Sequence, residues 1–177
     1  MLTNPHDKVP QTRTSLLRTC TQAFCAAFLD LPSNPPEKLL SEHFTSKEPR
    51  ITEHGPSWAT SRLPFLGRTF SGKDECLDYF KLLSETLEFI PSKDTFPGPG
   101  GIIVDAEATR EGRAGESGGC ASVVGKARFR SVKTGKEWEE EFTYRLSGFD
   151  EEGKIGWWEI WADPLSAWVA VGGGEGA

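Results

Sequence analysis

Residues 121–162 read ASVVGKARFRSVKTGKEWEEEFTYRLSGFDEEGKIGWWEIWA, and this stretch decides the fold. Apolar and polar residues alternate through it, and turn residues interrupt the alternation twice, which predicts strands at 121–132, 137–149 and 154–162. A fourth strand is predicted upstream at 102–109, and the polar, glycine-rich loop at 110–119 is expected to be mobile. The chain should therefore end in a four-strand antiparallel meander.

The turn of the first hairpin predicts its register. A two-residue turn at Thr134 and Gly135 pairs Lys133 with Lys136 and fixes every partner along both strands. The expected pairs bring apolar residues together on one face and opposite charges together on the other. These pairs are Val123 with Leu146, Gly125 with Tyr144, Ala127 with Phe142, Phe129 with Glu140, Arg128 with Glu141, and Arg130 with Glu139.

The second hairpin admits two registers, which differ in the tryptophans that they turn inward. A three-residue loop at 151–153 pairs Asp150 with Lys154 and continues both faces of the first hairpin, so it is preferred. A four-residue loop would slip the strand by one residue and exchange the two faces. The preferred register turns Trp158, Ile160 and Ala162 inward and sets Glu159 opposite Arg145, and the alternative turns Trp157, Glu159 and Trp161 inward.

Three helices are predicted upstream of the strands. The first spans 12–30, and the second begins after an N-cap at Asn34 and ends at Phe44. The third follows a capping signature at Ser71, and its apolar stripe comprises Cys76, Phe80, Leu83, Leu87 and Ile90. Between the last two helices lie a predicted strand at 50–54 and an apolar loop that is expected to have a covering role. This loop contains Trp58, Leu63, Phe65 and Leu66.

Length and composition indicate one globular domain. The 177 residues suffice for one sizeable core, and 37% of them are hydrophobic. We assign the domain to 12–171, with flexible ends at 1–11 and 172–177. A formal charge of -6 without a basic cluster argues against nucleic acid or anionic membranes as partners. The polar start of the chain and the lack of a long apolar run favour a cytoplasmic location.

No metal ion or cofactor is expected. The three histidines lie in unrelated predicted elements, and the four cysteines lack the C-x-x-C spacing of a zinc site. The glycine-rich segment at 98–101 precedes a predicted strand rather than a helix, so it does not form a phosphate-binding loop.

Three short segments carry a resemblance to a known superfamily. They are ITEHGP at 51–56, DEEGKI at 150–155 and EIWADPLSAW at 159–168. With the order of the elements, they resemble the nuclear-transport-factor-2-like superfamily, in particular its SnoaL-like polyketide cyclase branch, over 12–171. The resemblance implies a cone-shaped α+β roll, in which a curved antiparallel sheet wraps around three helices and encloses a cavity. It also implies a homodimer through the outer sheet face, where Trp157 and Trp161 are expected to be exposed.

The resemblance also implies what lines the cavity. The arginine and two aspartates of the epoxide-hydrolase branch correspond to Gly125, Ala127 and Ile160, and its water-holding residues correspond to Thr52 and His54, so that chemistry is absent. An apolar ligand is expected instead. Small residues on the inward face would leave the volume of a pocket, unless Tyr144 and Trp158 fill the space opposite them. The expected lining comprises Trp58, Phe65, Gly125, Ala127, Phe142, Tyr144, Trp158 and Ile160.

Three residues are candidates for catalysis. An imidazole with a pKa of about 6.5 exchanges protons near neutrality, which favours His54; the alternative is a structural histidine in the turn before Gly55. Tyr144 would donate a hydrogen bond to a carbonyl or enolate oxygen, unless it only packs. Asp105 is a candidate general base, although the face of its strand is undetermined.

Two functions remain open. The first is an enzyme of secondary metabolism that isomerises, cyclises or dehydrates an apolar small molecule without a cofactor. The second is a non-catalytic module that binds a small molecule or dimerises. A polar pair within hydrogen-bond reach inside the cavity would favour the enzyme, and a dry apolar cavity would favour the binding module.

Overall fold

The computed structural model of the protein describes residues 11–109 and 118–173. Within them, helices pack against the concave side of one curved, unclosed sheet, which is an α+β architecture. Residues 1–10 of the predicted flexible N-terminus, residues 110–117 of the predicted mobile loop and residues 174–177 of the predicted tail lie outside the described part. No helix in the described ranges is long and apolar enough to cross a membrane.

The elements follow one another in a simple order along the chain. The helices are α1 (Arg13–Phe28), α2 (Pro36–His43), α3 (Gly72–Thr86) and α4 (Pro164–Trp168). The strands are β1 (Arg50–Glu53), β2 (Thr69–Ser71), β3 (Leu87–Ile90), β4 (Ile103–Asp105), β5 (Cys120–Ser131), β6 (Glu137–Ser147) and β7 (Trp157–Trp161). In the sheet they run β2-β1-β7-β6-β5-β3, and β4 also pairs with β5. The pairing of β1 with β7 is parallel, and the other named pairs are antiparallel.

Trp158 is the centre of the core, because aromatic rings from two helices converge on it. The rings of Phe24 and Phe28 on α1 lie 5.2 and 5.4 Å from its ring. Tyr79 and Phe80 on α3 lie 5.9 and 6.0 Å away. Edge-to-face and tilted packing of this kind adds to the stabilisation from burial of the rings. These contacts fix α1 and α3 against β7.

The first hairpin differs from its predicted register by two residues. Ser131 donates from its N–H to the Lys136 carbonyl at 2.9 Å, so the loop spans four residues instead of two. Gly135 takes the left-handed conformation in this loop, with φ 71°. Thr134 holds the loop, since its N–H donates to the Ser131 hydroxyl at 3.3 Å and its hydroxyl donates to the Ala170 carbonyl at 2.5 Å. A two-residue turn would lack these contacts.

A slip of two residues changes the partners but leaves each side chain on its predicted face. Gly125 lies opposite Phe142, and Ala127 lies opposite Glu140. On the other face, Arg128 reaches Glu137 at 3.4 Å. The predicted separation of apolar and charged faces is therefore confirmed, although the predicted pairs are wrong.

The preferred register of the second hairpin is confirmed. Asp150 donates from its N–H to the Lys154 carbonyl at 3.0 Å, and Gly153 has φ 83°. Leu146 pairs with Trp158, and Arg145 with Glu159. The inward residues of β7 follow from this register, because the faces of a strand alternate.

The third helix is shorter than predicted, since α3 ends at Thr86 and β3 begins at Leu87. Leu87 and Ile90 lie on β3, which pairs with β5. The apolar residues at 87–90 are too few to distinguish a helical period from a strand period. They form a strand because the 12-residue β5 offers them an edge for pairing. The predicted strand at 102–109 is reduced to β4, which also borders β5. The sheet is therefore not a four-strand meander.

The outer face of the sheet exposes less tryptophan than predicted. Trp161 is 42% exposed, whereas Trp157 is only 9% exposed. Trp157 donates from Nε1 to the Thr52 hydroxyl at 3.0 Å, and the Arg50 guanidinium lies 4.5 Å from its ring. The cause is the parallel pairing of β1 with β7, which places the outward side chains of β1 beside Trp157.

Candidate active site

A cavity of about 730 Å³ lies between the concave face of the sheet and the helices. The loop residues Leu63, Phe65 and Leu66 and the start of α4 form part of its wall. This volume suits a small organic ligand. The wall is mainly aromatic and includes Phe28, Phe65, Phe80, Phe142, Tyr144 and Trp158.

Glu53 brings a carboxyl group into this apolar wall. It is the last residue of β1, where alternation places it on the concave face with Ile51, and it is 8% exposed. Its Oε2 accepts a hydrogen bond of 2.8 Å from the Tyr79 hydroxyl on α3. Burial raises the pKa of Glu53 to about 7, although the Tyr79 hydrogen bond lowers it and the charge of Glu140 raises it. Glu53 therefore exchanges a proton near neutral pH.

Glu140 is a second carboxyl group in the cavity wall. It projects from β6, and its Oε2 accepts a 2.8 Å hydrogen bond from Trp138 Nε1. Burial raises the pKa of Glu140 to about 7, although the Trp138 hydrogen bond lowers it and the charge of Asp163 raises it. Asp163 caps α4 by accepting from the N–H groups of Leu165 and Ser166, and mainly the Ser166 hydroxyl lowers its pKa. Asp163 is therefore a carboxylate at neutral pH.

Tyr144 supplies a hydroxyl group to the cavity. It is 4% exposed and lines the cavity, and its ring packs 4.9 Å from Trp158. Its hydroxyl makes no hydrogen bond to any residue of the described ranges. Burial raises the pKa of Tyr144 well above its ordinary value, so the phenol stays protonated. It is placed to bond a ligand rather than the protein.

Most of the predicted lining residues do meet in this cavity. Phe65, Phe142, Tyr144, Trp158 and Ile160 all line it. Their inward direction follows from the confirmed faces of β6 and β7, and from the buried position of the loop that carries Phe65.

Gly125 and Ala127 do not line the cavity, which corrects the prediction that small residues leave its volume. A Cβ atom on Gly125 would lie 2.4 Å from Cε2 of Phe142 and 3.0 Å from Cε1 of Phe96. Large rings therefore fill the space beside Gly125, but they belong to Phe142 and Phe96 and not to the Tyr144 and Trp158 of the alternative interpretation. The volume lies instead between α3 and the aromatic wall.

Trp58 and Asp105 lie away from the cavity. Trp58 is 61% exposed and packs edge-on against Trp168, with ring centroids 5.0 Å apart. Asp105 is exposed on the short strand β4, where its Oδ1 accepts from the Glu107 N–H at 2.9 Å. The loop of Trp58 runs over the surface, and β4 is an edge strand, so neither side chain reaches the cavity.

His54 borders the cavity, but its imidazole does not point into it. The ring stacks on Trp161 at 4.1 Å, and Nε2 lies 3.2 Å from Oε1 of Glu159. Glu159 belongs to the outer face, where Arg145 donates to its other oxygen at 2.6 Å. Parallel pairing places Glu53 beside the inward Ile160 and therefore turns its neighbour His54 outward.

Glu53, Tyr79 and Glu140 are the site residues that sequence reasoning missed. One signal could have found Glu53: Ile51 is the apolar residue of β1, so the strand's buried face contains positions 51 and 53. In the described ranges, no group of three or more His, Cys, Asp or Glu side chains is arranged to hold a metal ion.

No family model and no curated protein sequence matches the chain. Solved structures do match it. An NTF2-like protein of unknown function from Burkholderia pseudomallei K96243 aligns with a TM-score of 0.58 at 17% identity, over 86% of this chain and 97% of its own. A Bacillus subtilis protein provisionally named an isomerase aligns with a TM-score of 0.61 at 14% identity, over 92% and 96%.

A third match is a Jannaschia sp. CCS1 protein, provisionally named a SnoaL-like polyketide cyclase. It aligns with a TM-score of 0.54 at 12% identity, over 96% of this chain and 99% of its own. At these sequence identities, the structural similarity shows the fold alone. The three alignments cover 86%, 92% and 96% of this chain. The chain therefore has the nuclear-transport-factor-2-like fold, as its sequence segments indicated.

Proposed function

We propose that the protein catalyses a cofactor-free proton transfer on an apolar small molecule, which results in isomerisation, cyclisation or dehydration. The observation that carries the proposal is Glu53, a buried carboxyl group in an aromatic cavity. Because the pKa of Glu53 is raised to about 7, both its acid and its base forms are populated near neutrality. A group with this property takes a proton and returns it efficiently.

The roles follow from the positions of the polar groups. The Glu53 carboxylate removes a proton from a carbon next to a carbonyl group; the C–H bond breaks, and its electron pair passes to the carbonyl oxygen as an enolate. The Tyr144 hydroxyl donates to that oxygen and stabilises its charge. Glu53 then returns the proton to another carbon. Tyr79 holds the carboxyl group in place through its 2.8 Å hydrogen bond.

The hydrogen-bonded pair inside the cavity favours an enzyme over a binding module. Proteins of similar fold are provisionally named isomerases and SnoaL-like polyketide cyclases, and the protein TerC was crystallised with polyporic acid. These names agree with a small-molecule ligand for the cavity. The aromatic wall supports an apolar ligand, since it buries little polar surface.

The proposal is tested with bicyclic ketones in D₂O. Deuterium incorporation next to the carbonyl is followed by NMR, and conjugation of β,γ-unsaturated ketones is followed by ultraviolet absorbance. Glu53→Gln should lower both rates by about a hundredfold or more, because it removes the proton carrier. Glu141→Gln, the same change at an exposed position of β6, is the control. Binding of the ketones without exchange in the wild-type protein would favour the binding module instead.

We further propose that the protein is a cytoplasmic homodimer that associates through the outer sheet face. Val124 and Trp161 expose apolar surface there, at 53% and 42%. The buried Trp157 does not contribute. A monomer in light scattering at high protein concentration would refute the dimer.

A further inference from the structure

Gly125 lies behind the cavity wall, directly opposite Phe142 in the pairing of β5 with β6. A Cβ atom at position 125 would lie 2.5 Å from Cζ of Phe142 and 3.0 Å from Cε1 of Phe96. Carbon atoms that are not bonded to each other ordinarily lie about 3.5–4.0 Å apart. The Phe142 ring therefore rests on the Gly125 backbone, in space that the side chain of any other residue would occupy.

The backbone conformation of Gly125 does not require glycine. Its φ is not positive, unlike that of the turn glycines Gly135 and Gly153. Glycine inside a strand weakens the strand and marks a place where another group approaches closely. At Gly125 this group is the Phe142 ring, so the packing of the ring is what excludes a larger residue from the middle of β5.

Aromatic rings enclose Phe142 along the sheet. They belong to β3, to β5, to β6 and to the loop after β3, and their centroids lie 5.0–6.5 Å from that of Phe142. These rings are those of Phe89, Phe129, Tyr144 and Phe96. Because the rings lie beside Phe142 and the Gly125 backbone lies behind it, the open direction for the Phe142 ring is the cavity, which it lines.

A side chain at position 125 would therefore narrow the cavity. To restore an ordinary contact distance, a methyl group there would have to move the Phe142 ring by about 1 Å or more. A packed interior transmits such a displacement, because it contains little free space. The ring would move into the part of the cavity beside Tyr144, whose ring centroid lies 5.0 Å from that of Phe142. Space would be lost where the carbonyl group of the ligand binds in the proposed reaction.

We infer that Gly125 determines the size of the ligand that the protein accepts. It lets the Phe142 ring lie back against the sheet, so that ligands of two or three fused rings fit beside Tyr144. The inference rests on the proposed function, because it treats the cavity as the ligand site. The cavity volume of about 730 Å³ agrees with such ligands, since it is well above the lower end of the range of about 300–1,000 Å³ for ligand sites. Gly125 acts through Phe142 and is a specificity-determining residue rather than a catalytic one.

The test compares three methyl ketones with one, two and three aromatic rings, namely acetophenone, 2-acetylnaphthalene and 2-acetylphenanthrene. Calorimetry and NMR titration give their dissociation constants. Affinity for the wild type should rise with the number of rings, because each ring buries more apolar surface. Gly125→Ala should weaken binding of the three-ring ketone about tenfold or more, and that of the one-ring ketone less than about twofold. Gly98→Ala is the matched control, since a Cβ atom there meets nothing within 4 Å and its φ is -63°.

A double variant shows whether the effect passes through Phe142. Gly125→Ala combined with Phe142→Leu removes the ring that the methyl group would displace. Its affinity for the three-ring ketone should lie within about threefold of that of Phe142→Leu alone. If Gly125→Ala does not fold while the double variant folds and binds the three-ring ketone, the contact with Phe142 is again the cause, which supports the inference.

Equal weakening of all three ketones by Gly125→Ala would overturn the inference, and so would an equal effect of Gly98→Ala. Failure of both Gly125→Ala and the double variant to fold would also overturn it, because the Phe142 ring would then not be the obstacle. Binding is measured without turnover, so the two proposals fail separately. A wild-type protein that selects ketones by size but exchanges no protons would overturn the proposed function alone, whereas one that binds none of the ketones would overturn both.

Discussion

Tyr79 on α3 donates a 2.8 Å hydrogen bond to Glu53 at the end of β1, and this contact joins the helix layer to the sheet inside the cavity. Glu53 is 8% exposed, and its carboxyl group makes no ion pair with a basic side chain of the described ranges. The hydrogen bond stabilises the ionised form, while burial favours the neutral form and prevails. Burial and the Tyr79 hydrogen bond thus act on the pKa of Glu53 in opposite directions.

The first prediction concerns the pH dependence of proton transfer. The pKa of Glu53 is raised to about 7, and the carboxylate is the form that removes a proton. The exchange rate of a ketone should therefore rise about tenfold per pH unit below 7 and level off above it. NMR of deuterium incorporation between pH 5 and 9 measures this profile. A profile that is flat from pH 5 to 7 would exclude Glu53 as the base.

The second prediction concerns stability. The pKa of Glu53 is about 7 in the folded protein and near 4.5 when exposed, so the folded state holds its proton more tightly. Its contribution to the free energy of unfolding is therefore favourable at low pH and is lost as pH rises from about 4.5 to 7. The free energy of unfolding of Glu53→Gln, taken relative to that of the wild type, should therefore increase by roughly 2–3 kcal/mol as the pH rises from 5 to 8. Urea unfolding of both proteins at pH 5 and pH 8 measures this increase. The same stability difference between variant and wild type at both pH values would contradict the prediction.

The third prediction separates a positioning role of Tyr79 from a structural one. Tyr79→Phe keeps the ring packing but removes the O–H that stabilises the Glu53 carboxylate, so the pKa of Glu53 should rise further. The midpoint of the rate profile should move to higher pH, and the rate at pH 7 should fall about threefold to tenfold and recover at pH 9. If the loss were the same at every pH, Tyr79 would act only through structure.

The fourth prediction concerns His54. Its ring stacks on Trp161 at 4.1 Å on the outer face, and its Nε2 contacts Glu159. His54→Ala should destabilise the protein by about 1 kcal/mol and leave the exchange rate within about threefold. A hundredfold loss of rate in a folded variant would restore His54 as the proton carrier. Circular dichroism and the ketone assay give the two readouts.

The sequence alone was sufficient to predict the second hairpin, because the residues of its turn determine its register. Gly153 identified the loop of the second hairpin, and that loop oriented Trp158 and Ile160 correctly. The first hairpin shifted by two residues because Thr134 bonds to Ala170, a residue far along the chain. An even shift preserves the faces, so Tyr144 was still placed in the cavity.

The site could be predicted only in part, because its polar groups depend on distant partners. β1 has four residues, and its orientation follows from the parallel pairing with β7 rather than from its own pattern. This is why His54 was chosen and Glu53 was missed. The rings of Phe142 and Phe96 occupy the space beside Gly125, and the sequence alone does not show in which direction these rings point.

The alternation along β1 also has a meaning for protein engineering. Two neighbouring residues, Glu53 and His54, present a carboxyl group to the hollow side of the sheet and an imidazole to its back. Deleting one residue ahead of the strand would bring His54 to the place of Glu53, so that an imidazole would replace the carboxyl group in the cavity. The kind of base that the cavity receives thus depends on the register of one four-residue strand.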